Sequence, residues 1–208
     1  MLLQGTHSLS VPLSKDVGEK LLIFGDELAR WNRKVNLTAI ADPVEVLEKH
    51  FADSLAVFAE VKSAATLLDI GTGGGFPGIP LKLAVPPLDV TLIESSGRKV
   101  AFLKHALALL GLQRGIRAIE ARAEGEPKHE GIPRAEVVIS RALHAPEDWV
   151  NLAKRYLTRE GRVIAMLGSK WSVLQLESLA KSNQGTVAIH RYRLPFSGAR
   201  RAFGVFRF

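Results

Sequence analysis

The stretch LLDIGTGGGFPGIPL, residues 67–81, joins an apolar run to a glycine-rich segment and indicates the fold of the whole chain. It contains five glycines and two prolines. Glycines at alternate positions let the backbone turn sharply and let a ligand lie against bare peptide groups. The apolar residues 66–70 therefore predict a buried strand, and the glycines predict a ligand-binding turn where that strand ends.

Two helices are predicted before this stretch. In the first, apolar residues recur every three or four positions, which indicates one buried helix face: Val17, Leu21, Phe24, Leu28 and Trp31. Ser14 is its predicted N-cap. The second helix is predicted to begin with Asp42 as the cap and Pro43 in the first helical position. Its predicted buried face consists of Val44, Leu47, Phe51, Leu55 and Phe58.

Apolar runs alternate with helical patterns after the glycines. Strands are predicted at 90–94, 116–119, 137–140 and 162–167, and helices at 100–110, 146–157 and 171–180. Two further strands, 187–194 and 202–208, follow without a helix between them. This order predicts an α/β fold: a mostly parallel seven-stranded sheet with an antiparallel edge hairpin. Residues 1–62 are predicted to form a helical extension, and residues 63–208 one compact domain.

Two carboxylates accompany the glycines. Asp69 lies near the end of the first predicted strand, and Glu94 ends the second, nineteen residues beyond Gly75. In doubly wound folds an acid at that distance binds the hydroxyls of a ribose. Together with Gly71 and Gly73, the two acids predict a site for an adenosine-type ligand.

The spacing of the glycines distinguishes between two such ligands. A dinucleotide site requires G-x-G-x-x-G and a helix N-terminus that faces a pyrophosphate. Here Gly73 is followed directly by two more glycines, and Phe76 and Pro77 occupy the turn where a phosphate would lie. The form D-x-G-x-G-x-G suits S-adenosylmethionine better, because that ligand lacks phosphate and its cationic groups favour nearby carboxylates such as Asp69.

The distribution of charge suggests a polyanionic partner. The chain has 208 residues and a formal net charge of +7, and residues 178–208 contain six Lys and Arg but no acidic residue. A solvated basic surface is the alternative explanation. The absence of cysteine excludes disulfides, cysteine-ligated metals and a cysteine nucleophile, and no metal site is predicted. No apolar run has the length of a membrane span, so a cytoplasmic protein is expected.

Several motifs resemble one known family: NLTAI (36–40), EKHFADSL (48–55), residues 67–81, LIESSGRKVAFL (92–103), RAE (122–124) and SRAL (140–143). They are similar to the RsmG family, also called glucose-inhibited division protein B. The resemblance implies a class I (Rossmann-like) methyltransferase that methylates N7 of a guanine in 16S ribosomal RNA with S-adenosylmethionine. It implies a 16S RNA or small-subunit partner, and nothing in the sequence requires more than a monomer.

The resemblance also implies roles for particular residues. Cofactor contacts are expected at Gly71, Phe76, Ala123, Glu124 and Arg141, in addition to Asp69, Gly73, Gly75 and Glu94. Arg141 is expected to be catalytic as well, because a guanidinium matches guanine O6 and N7, or a phosphate, bidentately, and a surface salt bridge is the alternative. RNA contacts are predicted for Asn36, His50, Lys170, Arg200 and Arg201. For Asn36 a turn, and for His50 packing of the helix on the domain, are the alternatives.

Aromatic residues of the tail allow two interpretations. Phe196, Phe203, Phe206 and Phe208 have the spacing of strand residues, and they are interpreted as core, although stacking on bases is the alternative.

Four other functions remain open. They are methylation of another RNA or a protein, methylation of a small molecule, an NAD-dependent oxidoreductase, and a non-catalytic RNA-binding protein. The missing third glycine spacing argues against the oxidoreductase. The basic second half of the chain argues against a small-molecule substrate.

Overall fold

The computed structural model describes Leu9 and residues 11–141, 146–167 and 172–208. Ala142, Leu143, Lys170 and Trp171 lie outside this part of the chain, so the predictions for them have no structural counterpart. Within it, the strands are β1 (Thr66–Ile70), β2 (Asp89–Glu94), β3 (Ile116–Glu120), β4 (Ala135–Arg141), β5 (Leu157–Leu167), β6 (Thr186–Arg193) and β7 (Arg200–Arg207).

These strands form one seven-stranded sheet in the order β3-β2-β1-β4-β5-β7-β6. The first five strands are mutually parallel, while β7 runs antiparallel to both β5 and β6. The predicted α/β class, mostly parallel sheet and antiparallel edge hairpin are thus confirmed. The largest boundary difference is in β5, which begins at Leu157, where a helix was predicted.

Helices cover both faces of the sheet. They are α1 (Lys15–Val35), α2 (Pro43–Val46), α3 (Asp53–Leu55), α4 (Phe58–Val61), α5 (Gly78–Ala84), α6 (Gly97–Leu109), α7 (Pro127–Glu130), α8 (Pro146–Lys154) and α9 (Val173–Ser182). Both predicted N-caps are present, since Ser14 accepts a hydrogen bond from Val17 N and Asp42 accepts one from Glu45 N. No helix of the described residues is long and apolar enough to cross a membrane.

A π-helical turn, Leu47–Ala52, connects α2 to α3. A π turn adds a residue and so rotates the following side chains by about 100° relative to an α-helix. Phe51 and Leu55 are buried as predicted, and the residues before the turn are rotated relative to them. The predicted face is therefore wrong at its first position, where Val44 is 45% exposed and Val46 is buried instead. Glu48 and His50 are also buried on this turn.

The N-terminal helices share one hydrophobic core with the sheet. Phe24 of α1 packs against Phe51, against Phe76 from the glycine-rich segment, and against Phe102 of α6, with ring centroids 5.3–6.2 Å apart. Burial of such aromatic side chains is a large stabilising contribution. The helices are thus fixed over the end of the sheet where the glycines lie, and the division at residue 62 stays a prediction.

Candidate functional site

The sheet places the glycine-rich turn at a position favourable for ligand binding. β1 lies between β2 and β4. The chain passes from β1 to β2 and β3 on one side of β1, and then crosses to β4 on its other side. Ligands of open α/β sheets bind beyond the carboxyl ends of the strands at such a point. The residues after β1, β2, β3 and β4 are therefore the candidate site, here called the cleft.

Asp69 stabilises the glycine-rich turn through hydrogen bonds. It is fully buried, and its Oδ2 accepts hydrogen bonds from Thr72 Oγ1 (2.6 Å) and Gly78 N (2.9 Å). Burial raises the pKa of this carboxyl to about 6, against the opposing effect of these two donors. Its Oδ1 is buried without a hydrogen-bond partner among the described residues, so acceptor capacity remains at the base of the turn.

The glycines of the turn divide into two groups. Gly71 and Gly73 have positive φ angles of 71° and 58°, and no described atom lies within 4 Å of where a Cβ would be. Space is thus open beside their backbone. A Cβ on Gly75 would instead lie 2.5 Å from Ile79 Cδ1, so this glycine serves packing against the core, and a cofactor contact there stays a prediction.

Glu94 connects the end of β2 to the turn. Its Oε2 accepts a hydrogen bond from Gly73 N (3.1 Å), and its Oε1 accepts one from Ser96 N (2.9 Å). The neighbouring strand ends beside it, as Ala121 N donates to the Glu94 carbonyl. Ala123 and Glu124 follow in the loop after β3, where Glu124 is exposed to solvent.

Arg141, at the end of β4, is directed toward the N-terminal helices. Its Nη1 donates to the Lys49 carbonyl, and its Nη2 lies 2.8 Å from His50 Nδ1. The guanidinium carbon is 5.1 Å from the ring centroid of Phe76, a cation–π distance. Arg141 thus joins the cleft to the π-helical turn, and the contact with guanine or cofactor that the resemblance implies stays a prediction.

The environment of His50 fixes its protonation state. Burial, and to a lesser degree the charge of Arg141, lower its pKa to about 3, so the ring is neutral at pH 7. A guanidinium has only donors, so Nδ1 must accept its hydrogen bond. The proton therefore resides on Nε2 and is donated to Thr38 Oγ1, 2.7 Å away. The ring also stacks on Phe76 at 4.5 Å, so His50 packs the N-terminal segments on the domain.

Replacing His50 with glutamine should change the pH dependence of stability. A lowered folded-state pKa means that the unfolded chain binds more protons between about 3 and 6.5, so the contribution of neutral His50 is lost as the pH falls through this range. We expect the difference in unfolding free energy between wild type and His50→Gln to change by up to about 1.4 kcal/mol per pH unit there. Urea denaturation at several pH values measures it.

All titratable groups other than His50 are present in both proteins, so their contributions cancel in the difference of unfolding free energy. Asp69, whose raised pKa acts in the opposite direction, is present in both of them. A constant difference between pH 4 and pH 6.5 would show that His50 is already protonated in the folded state.

Asp53 is the centre of a second group of polar contacts beside Arg141. Its Oδ1 accepts a hydrogen bond from Tyr192 Oη (2.7 Å), and Arg201 Nε lies 3.8 Å from the same oxygen. Arg141 Nη1 is 3.9 Å from Oδ2. Burial raises the pKa of Asp53, while Tyr192 and the two arginines oppose that rise. The first helices and the C-terminal hairpin are thereby joined next to the cleft.

The predicted RNA-contacting residues occupy different surroundings. Asn36 is the C-cap of α1 with φ of 53°, so it forms the turn that was its alternative interpretation. Arg200 is exposed, Arg201 is partly buried against Asp53, and His50 is almost fully buried. The interpretation of the tail aromatics as core is wrong for Phe196, which is 37% exposed, whereas Phe203 and Phe206 are buried.

Sequence reasoning missed three contributors to this site. Thr72 lies inside the quoted glycine motif, so a hydroxyl between two glycines was an available signal. Tyr192 is 139 residues from its partner Asp53, and Thr38 is twelve residues from His50. No local pattern reports pairs of this kind.

The chemistry of the cleft fits S-adenosylmethionine. Two carboxylates, one with an unpartnered buried oxygen, favour a ligand that carries cationic groups, and the open sides of Gly71 and Gly73 admit it. A pyrophosphate fits poorly. The first N–H of α5, on Gly78, is already bonded to Asp69, and the charges of Asp69 and Glu94 would repel an anion. The geometry thus disfavours the dinucleotide alternative.

Comparisons with known sequences agree on one family. The GidB model, described as rRNA small subunit methyltransferase G, matches residues 18–200. The ribosomal RNA small subunit methyltransferase G of Myxococcus xanthus is 55% identical over 206 residues, covering 99% of this chain and 94% of that protein. The protein of the same name from Geobacter sulfurreducens is 37% identical, over 97% of this chain and 93% of its own length.

Solved structures show the same fold. A SAM-dependent methyltransferase from Aquifex aeolicus has a TM-score of 0.59 at 16% identity, covering 83% of this chain and 96% of that one. Precorrin-6y C5,15-methyltransferase from Geobacter metallireducens has a TM-score of 0.58 at 13% identity, covering 74% and 86%. These likenesses confirm the class I, Rossmann-like architecture.

Proposed function

Since this chain belongs to the GidB family of rRNA small subunit methyltransferase G proteins, we propose that it methylates N7 of a guanine in 16S ribosomal RNA. The activity is that of an rRNA methyltransferase that uses S-adenosylmethionine, with the RNA or the small ribosomal subunit as its substrate. The choice of N7 is the part that needs a chemical argument. A monomeric state and a cytoplasmic location stay predictions.

The observation that supports N7 is the state of the titratable groups around the glycine-rich turn. Both nitrogens of His50 are engaged, and its ring is neutral with a pKa of about 3. Asp69 is buried under the turn, and both oxygens of Glu94 accept backbone hydrogen bonds. Among the described residues of the cleft, no imidazole is therefore free to act as a general base.

Guanine N7 is a nucleophile that requires no such base. Its lone pair is unprotonated in neutral RNA, so orientation of the two reactants is sufficient to lower the barrier by several kcal/mol. A ring nitrogen or hydroxyl that must lose a proton would instead need a general base within hydrogen-bond reach. The described residues of the cleft match the first requirement.

The residues that would hold S-adenosylmethionine follow from their positions. We assign the backbone beside Gly71 and Gly73, the carboxylates of Asp69 and Glu94, and the Ala123–Glu124 loop to the cofactor. When bound, S-adenosylmethionine supplies an electrophilic methyl group on a sulfonium. Glu94 would bind the ribose hydroxyls while keeping Gly73 in place, and the negative charge of Asp69, buried beneath the turn, would favour the cationic end of the cofactor. The cofactor contacts of Gly75, Phe76 and Arg141 stay predictions.

Methyl transfer from radiolabelled S-adenosylmethionine tests the proposal. The acceptors are 30S particles and protein-free 16S RNA from a strain that lacks this enzyme, and borohydride–aniline cleavage locates any 7-methylguanine. We expect label in RNA and one cleavage site. Label without cleavage would leave an rRNA methyltransferase but exclude N7. Label in neither acceptor would favour another RNA or a protein as substrate.

A further inference from the structure

The β6–β7 hairpin presents its tip on the cleft side of the molecule. Leu167, at the carboxyl end of β5, is paired with Ala202 of β7, and Arg193 of β6 is paired with Arg200. The turn between the two strands, residues 194–199 and here called the tip, therefore lies at the same end of the sheet as the glycine-rich turn.

The backbone of the tip is fixed by hydrogen bonds to Glu48 and by hydrogen bonds within the turn. Glu48 is 4% exposed, and one of its oxygens accepts hydrogen bonds from Phe196 N (2.7 Å) and Ser197 N (2.6 Å). Burial alone would raise the pKa of Glu48, but the donors at Ser197 and Phe196 lower it below its ordinary value. Leu194 N donates to the Ala199 carbonyl, and Gly198 N donates to the Leu194 carbonyl.

This ordered turn exposes an aromatic ring. Phe196 is 37% exposed, although its own N–H and that of Ser197 are bonded to Glu48. Leu194 is the residue of the tip that is buried in the core. The exposed part of the ring contributes nothing to folding, since its transfer free energy is not realised. A preorganised aromatic platform, however, loses little entropy when a flat partner stacks on it.

Exposed arginines lie on the two strands that flank the tip. Arg191 and Arg193 are exposed on β6, and they share a face because side chains of a strand alternate. Arg200, the partner of Arg193 in the ladder, is exposed on the same face. The stretch from Lys181 to Phe208 contains no carboxylate side chain that could neutralise them.

We propose that the tip binds single-stranded RNA, with a base stacked on Phe196 and the adjoining phosphates on Arg193 and Arg200. This inference rests on the proposed function and assigns a second contact of the same substrate outside the cleft. An aromatic face selects planar bases without regard to sequence, and arginine forks bind phosphates. The combination is the one that single-stranded RNA sites use.

Binding of a fluorescein-labelled single-stranded RNA 12-mer, measured by anisotropy at several KCl concentrations, tests the inference. We expect Phe196→Ala and Phe196→Leu to weaken binding about tenfold, and Phe196→Trp to retain it, since stacking and not apolarity is required. Arg193→Ala and Arg200→Ala should each reduce the slope of log K against log salt by about 0.7. Phe196→Ala should leave that slope unchanged.

Leu109→Ala is the matched control. Leu109 is an exposed apolar residue, 47% accessible, near the end of α6 at the opposite edge of the sheet. This variant should bind the 12-mer like wild type. All variants should bind S-adenosylmethionine with wild-type affinity, which shows that the cleft is intact.

The outcomes separate the inference from the proposed function. If wild type methylates 30S particles and Phe196→Ala has wild-type RNA affinity and KM for the particles, the tip does not stack on RNA and the proposed function stands. If Phe196→Ala weakens RNA binding but wild type labels no RNA, the stacking site stands and the proposed function fails. Equal affinity of Phe196→Leu and wild type would also overturn the inference.

Discussion

Replacing Glu94 with alanine is expected to weaken S-adenosylmethionine binding about a hundredfold, or about 2.8 kcal/mol at 1.4 kcal/mol per factor of ten. The carboxylate anchors Gly73 N and Ser96 N, so its removal leaves two backbone donors unpaired and releases the turn that forms one wall of the cleft. The proposed bonds to the ribose hydroxyls would be lost as well. Titration calorimetry with S-adenosylmethionine measures the effect.

Asp89→Ala is the matched control for this substitution. Asp89 begins the strand that Glu94 ends, so the same charge is removed at the opposite end of that strand, on an exposed side chain. We expect its affinity to equal that of wild type. An unchanged affinity in Glu94→Ala would remove this residue from the cofactor site and leave its role structural.

Replacing Arg141 with alanine is expected to lower the free energy of unfolding by about 3 kcal/mol, as removal of one partner from a buried ionic group does. The guanidinium donates to the Lys49 carbonyl and to His50, and its charge lies beside buried Asp53 and Asp69. All of these groups would lose a partner or a compensating charge. Urea denaturation measures the change.

Two further variants distinguish positioning from a direct contact of Arg141 with the reactants. Arg201→Ala removes a more exposed arginine 3.8 Å from Asp53 and should cost about 1 kcal/mol or less. Arg141→Lys keeps the charge but loses the fork, so it should recover part of the stability. If Arg141→Lys restores stability fully yet transfers no methyl groups, the guanidinium has a role in the reaction itself. A wild-type stability of Arg141→Ala would contradict the positioning role.

The fold was predictable wherever the signals are local. Ser14 and Asp42 mark helix starts because a side-chain oxygen must satisfy free N–H groups of the first turn, and alternation of strands and helices dictates parallel pairing. The predicted helix face failed at Val44, because it assumed 3.6 residues per turn throughout, and the π-helical turn at Leu47–Ala52 breaks that period.

The candidate site was predictable to a similar extent. The roles of Glu94, at the end of β2, and of the open glycines were predictable from their spacing, since the carboxyl ends of neighbouring parallel strands lie close together. Phe196 was assigned to the core because its period matches a strand, yet it lies in the turn after β6 ends at Arg193. Burial of Glu48 and Asp53 could not be foreseen, because each is compensated by groups more than 130 residues away.

Those distant bonds bear on how the protein is made. Glu48 is translated 149 residues before its partner Ser197, and Asp53 is translated 139 residues before its partner Tyr192. Until these partners are available, the two carboxylates must remain hydrated, and the segment around them lacks its native contacts with the hairpin. Contacts of such high sequence separation also slow folding. An enzyme proposed to modify ribosomes would therefore acquire these contacts beside its cleft only after Tyr192 and Ser197 have left the ribosome that makes it.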